Sequence, residues 1–78
     1  MNAKERDETL QVLLENYDIE KNKSKVFGRE ESQSRLLTEG TLLGFLMAFK
    51  LEMQEFETCI SIRHIDSGRL VMVYHKFQ

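Results

Sequence analysis

The sequence predicts an α+β fold in a single domain, residues 1–78, with helices packed on one face of a small antiparallel sheet. Three observations carry the prediction. Apolar residues recur at helical spacing near the start of the chain and again, more densely, in its middle. Two strand-like segments flank Asp66-Ser67-Gly68 near the end, the pattern of a hairpin. At 78 residues the chain has the length of one domain, and a domain of that size buries only about 60% of the surface its unfolded form exposes. Its core must therefore be used efficiently or shared with a partner. Five Phe, two Tyr and many Leu, Ile, Val and Met supply enough apolar surface to collapse, which argues against disorder.

The first helix is expected over residues 3–17. Asn2 followed by Glu5 suits a cap, Glu5, Asp7 and Glu8 favour the positive end of the helix dipole, and Leu10, Leu13, Leu14 and Tyr17 form one stripe. Residues 18–34 are poor in apolar groups. Lys21, Asn22, Lys23 and Ser24 read as a solvated connection, with Lys25-Val26-Phe27 as a short strand or plug before Gly28.

A long central helix is expected from about residue 32 to about residue 57. Leu42, Phe45, Leu46, Phe49, Met53 and Phe56 lie on one continuous helical face. An adjoining row places Gly40, Gly44 and Ala48 four residues apart, flanked by Leu36, Leu37, Leu43, Met47 and Leu51. A break near Gly40, with Thr41 capping a second helix, is the competing reading. Between Leu42 and Phe49 the helix is apolar almost all round, so it must be covered on several sides.

The C-terminal hairpin joins residues 59–65 to residues 69–77. A type I turn over Asp66-Ser67-Gly68, closed by a left-handed glycine, sets Ile65 opposite Arg69 and Cys59 opposite His75. Ile60, Ile62, Leu70, Met72 and Tyr74 then share a face, with Val71, Val73, Phe77, Ser61 and Arg63 on the other. A two-residue turn would regroup these faces. In either register Leu70–Tyr74 is apolar on both faces and suits an interior position. The expected extra neighbour is the Lys25–Phe27 segment or the same strand of a second copy.

Charge and cysteine use narrow the function classes. Net charge is −2, and dividing the chain after Glu30 leaves both parts slightly acidic. A phosphate-tracking surface needs a strong positive excess, so nucleic-acid binding is disfavoured. It remains the second reading, resting on Arg63, Arg69, Lys76 and Tyr74 as cations beside an aromatic platform. One cysteine cannot form an intrachain disulfide, which fits a reducing cytoplasm. The charged start is not a signal peptide, and the uncharged stretch ending at Phe49 is far shorter than the ~20 residues that span a bilayer.

Little in the sequence points to catalysis or cofactors. Cys59, His64 and His75 lack the CxxC or HxxxH spacing that seats two metal ligands together, so neither metal nor cofactor is expected. Cys59 and His75 with Asp66 or Glu57 can be drawn as a catalytic set, but a short open hairpin does not exclude water around it. A small enzyme is the third reading.

The strongest signal is the row of small residues, which lets two helix backbones approach closely. The first helix can fill that groove with Leu10, Leu13 and Leu14. A subunit interface over Gly40, Gly44, Ala48, Leu43 and Met47, joined by Val71 and Val73 of the hairpin, is the sharper reading. The sequence thus points to a non-enzymatic interaction or regulatory protein acting as a homodimer or with a protein partner. Such composition is common among accessory proteins of bacteria and phages.

Overall fold

A computed structural model of the chain describes residues 1–26 and 33–77. Two helices pack on one face of a three-stranded antiparallel sheet in the order α1 (Ala3–Val26), α2 (Gln33–Ala48), β1 (Leu51–Glu55), β2 (Cys59–His64), β3 (Leu70–His75). The α+β class and the C-terminal hairpin follow the sequence reading. Three element boundaries do not.

Helix α1 starts where its cap predicts. The Asn2 side chain accepts a hydrogen bond from the Glu5 amide at 2.8 Å. Leu10, Leu14 and Tyr17 are buried and Leu13 is packed beside them. The helix then runs nine residues past its expected end, through the segment read as a solvated connection. No glycine or proline interrupts it there, and Asp18 and Lys21 find partners on the sheet. Lys25 and Val26 are its last residues, not a strand, and Phe27 lies outside the described residues.

Helix α2 is continuous through Gly40. The Thr41 hydroxyl donates to the Leu37 carbonyl at 2.8 Å and caps nothing. Leu42 and Leu46 are buried, and the Phe45 and Phe49 rings pack beside them with centroids 4.7 Å apart. The helix ends at Ala48, nine residues short of the expected end. Lys50, at φ 54°, turns the chain into β1, with its amide bonded to the Met47 carbonyl. Met53 therefore packs from a strand, and Phe56 sits exposed beyond it.

That new strand corrects the sheet. β1 pairs with β2 and β2 with β3, so β2 is interior, while Leu70–His75 is an edge strand. The hairpin turn is longer than expected: the His64 amide bonds the Arg69 carbonyl, and residues 65–68 form a four-residue loop with Gly68 at φ 72°. A bulge between Ile62 and Arg63 restores the expected pairs beyond it, including Ile62 with Met72, Ile60 with Tyr74 and Cys59 with His75. Next to the turn the bulge exchanges two side chains. Leu70 is exposed, and Val71 packs against the core rather than away from it.

Leu10, Leu14, Tyr17, Leu42, Leu46, Leu51, Ile60, Ile62 and Tyr74 make one core between helices and sheet. α1 lies over β3 and α2 over β1. Among the described residues, no helix is long and apolar enough to cross a membrane.

Candidate functional site

The outward side of α2 is an uncharged apolar face. Leu42, Phe45, Leu46 and Phe49 point to the core, so at 100° per residue the opposite side presents Leu36, Leu37, Gly40, Leu43, Gly44, Met47 and Ala48. Met47 is 78% exposed and Leu37 63%. Among the described residues, no heavy atom lies within 4 Å of a Cβ built on Gly40 or on Gly44. α1 packs elsewhere on α2 and does not fill the seam. The small residues form a floor, with Leu36, Leu43 and Met47 along one side and Leu37 along the other.

The two hairpin residues expected to join this face do not. Val71 is packed against the core. Val73 pairs with Ser61, on the side of the sheet away from the helices, and is 42% exposed.

A second assembly, absent from the sequence reading, joins α1 to the ends of the sheet. Glu55 accepts hydrogen bonds from the Tyr17 hydroxyl at 2.8 Å, Lys21 Nζ at 3.0 and 3.1 Å, and Lys76 Nζ at 2.8 Å. Lys76 also donates to the Phe56 carbonyl. Beside it, buried Asp18 accepts from the Tyr74 hydroxyl at 3.1 Å, the Phe77 amide at 2.8 Å and the Asn22 side chain at 3.4 Å. All of these residues except Tyr74 and Phe56 line a cleft of about 390 Å³ together with Lys25, Glu57 and Thr58.

Burial pushes the Glu55 carboxyl up, but the donors Lys76, Lys21 and Tyr17 more than offset it and bring it down to about 2. Burial, reinforced by Asp18, pushes the Tyr74 phenol up to about 12. Burial also raises Tyr17, while Lys21, lowered by burial, is raised further by Tyr17 and Glu55. These shifts move all four groups away from neutrality, so none is poised to exchange a proton near pH 7. The arrangement clamps charge and holds the chain's end against α1.

No known protein-family model matches the chain, and no curated protein or solved structure matches it either.

The remaining sequence candidates are dispersed. Tyr74 is buried against Asp18, and Lys76 is engaged by Glu55, both at one end of the hairpin. Arg63 and Arg69 sit at the other end, where Arg63 donates to the Gly68 carbonyl at 3.2 Å. The four do not form one cationic platform. Cys59 and His75 are cross-strand neighbours as expected, whereas His64 pairs with Leu51 on the helix side of the sheet. Among the described residues, no group of three or more His, Cys, Asp or Glu is placed to hold a metal ion.

Proposed function

We propose that the chain is a small non-enzymatic interaction module of the cytoplasm, which docks as a homodimer through the outward face of α2. The observation that carries this reading is the open space at Gly40 and Gly44. Each glycine inside a helix costs about 1 kcal/mol relative to alanine. Among the described residues nothing packs into the space the missing side chains leave, which supports a use outside the chain. Two copies of α2 crossing antiparallel at Gly44 bring Gly40 opposite Ala48 on both sides of the two-fold axis, so small residues meet small residues along the seam. The neighbouring leucines and Met47 then leave water together.

The non-enzymatic part rests on the Glu55 and Asp18 cluster, whose shifted groups are fixed in one protonation state near neutrality. The lone free cysteine suits a reducing compartment.

Sedimentation velocity across the micromolar range tests the reading. Wild type is expected to shift from monomer to dimer with concentration, and Gly44→Leu to remain monomeric at concentrations where wild type is paired. A monomeric wild type at all concentrations overturns the homodimer. Unchanged association of Gly44→Leu overturns the choice of face.

A further inference from the structure

We infer that the side of the sheet facing away from the helices holds a small-molecule site, which takes a free α-amino acid with an apolar side chain. The observation that points to a ligand is Ser61. It stands in the middle of the central strand, between Gln54 and Val73, and is only 6% exposed. Its hydroxyl has no hydrogen-bond partner among the described residues. Buried polar atoms without partners are rare in native proteins, and each calls for an explanation. Ser61 lines a hollow of about 260 Å³ with Glu52, Met53, Gln54 and Arg63. Drug-sized sites run to roughly 300–1,000 Å³, so this one suits a smaller molecule.

The walls of the hollow sort by hydrogen-bonding type. Glu52 lies directly opposite Arg63, and Gln54 directly opposite Ser61, so the four side chains bound a rectangle on two neighbouring strands. The β2 wall presents donors, the Arg63 guanidinium and the Ser61 hydroxyl. The β1 wall presents acceptors, the Glu52 carboxylate and the Gln54 carbonyl. Glu52 and Arg63 are both exposed, and no ion pair joins them. Arg63 gives one of its several donors to the Gly68 carbonyl and keeps the others.

An α-amino acid carries the matching pair of charges. Its carboxylate fits Arg63 and Ser61, and its ammonium fits Glu52 and Gln54. Neighbouring strands run about 4.8 Å apart, which suits the short span between an ammonium and a carboxylate on one carbon. The side chain is then left to run toward β3 over Val73, which flanks Ser61 on its other side and is 42% exposed. An apolar side chain suits that path. The Ser61 oxygen is closed off by its neighbours in the free chain. Binding therefore includes a swing of the exposed Gln54 side chain, which uncovers the hydroxyl and turns its own carbonyl to the ammonium. The site lies across the sheet from both helices and is independent of docking through α2.

Titration of the full chain with L-leucine, followed by residue-resolved amide shifts, tests the proposal. Leucine is expected to bind saturably in the millimolar range, with the largest shifts at Glu52, Gln54, Ser61 and Arg63. Isocaproate and isoamylamine each carry one of leucine's two charges on nearly the same skeleton. Each is expected to bind at least about tenfold more weakly than leucine. Ser61→Ala is expected to weaken leucine binding about tenfold, as the loss of one hydrogen bond to a charged group does. It should melt no lower than wild type, because it removes an unpartnered buried hydroxyl. Arg63→Gln and Glu52→Gln, both exposed changes, are each expected to weaken binding by at least as much. Absence of saturable binding, or shifts confined to other residues, overturns the site. Analogues that bind as well as leucine overturn the ligand class, and unchanged affinity in Ser61→Ala overturns the inference at its ground.

Discussion

Glu55 gathers three side-chain donors, two from α1 and one from the chain beyond β3, and so ties three parts of the fold at one carboxylate. Its folded-state value of about 2 lies below the ordinary carboxyl value, so the ionised form is favoured in the native state. The stabilisation it gives is complete above the unfolded carboxyl range and is lost as pH falls toward about 2. Glu55→Gln should cost about 1–3 kcal/mol at neutral pH, since hydrogen bonds to a charged group are lost and two lysines lose their counter-ion. Denaturant unfolding of both proteins should show the gap narrowing steadily from pH 5 to pH 2; a constant gap refutes the assignment. Tyr74 behaves with the opposite sign. Its raised phenol stabilises the fold below the unfolded tyrosine value, and that contribution is lost as pH rises toward about 12. Tyr74→Phe should therefore flatten the alkaline limb of the stability profile. None of this cluster was legible in the sequence. The bonds that tie α1 to the rest of the cluster span 34 to 59 residues, and Tyr17 fits an apolar stripe so well that its hydroxyl draws no notice.

At the scale of elements, α2 carries the most direct stability prediction. Gly40→Ala and Gly44→Ala meet no neighbouring atoms among the described residues, so each should stabilise the isolated chain by about 1 kcal/mol through helix propensity alone. Gly68→Ala should do the reverse, because φ 72° favours glycine, at a cost of about 1 kcal/mol. Thermal melts at high dilution separate the two outcomes; no gain at Gly40 or Gly44 would mean the helix is held by something other than its backbone. The end of α2 shows why its true length was hidden. Met53 and Phe56 continue the helical spacing of Leu42 and Phe49, while Leu51-Glu52-Met53-Gln54-Glu55 also alternates as a strand. The residue that decides is Lys50, which takes a left-handed conformation without the glycine that normally announces a helix end. Once β1 forms, the central strand of the sheet becomes the first arm of the hairpin. The second arm, apolar on both faces, is then an edge strand and not the interior one its pattern suggests.

For the whole molecule, the class was legible because helical stripes and a hairpin signal depend on local spacing alone. Coverage of α2 was legible only in part: its apolar circumference announces several neighbours, and the described residues supply them on one side. Mass action turns the uncovered side into a measurable quantity. If association is linked to folding, each tenfold rise in concentration should raise the wild-type Tm by roughly 3–6 °C, given the small unfolding entropy of a domain this size. Gly44→Leu should lose most of that dependence while melting, at the dilute limit, close to wild type, because a Cβ added there meets no atom of the described residues. Gly44→Ala makes the sharper test, since helix propensity and association pull it in opposite directions. It should melt above wild type when dilute and gain less than wild type on concentration, so that the two curves converge or cross. Parallel curves would mean that the seam is only a helical imperfection and that docking, if it occurs, uses another surface.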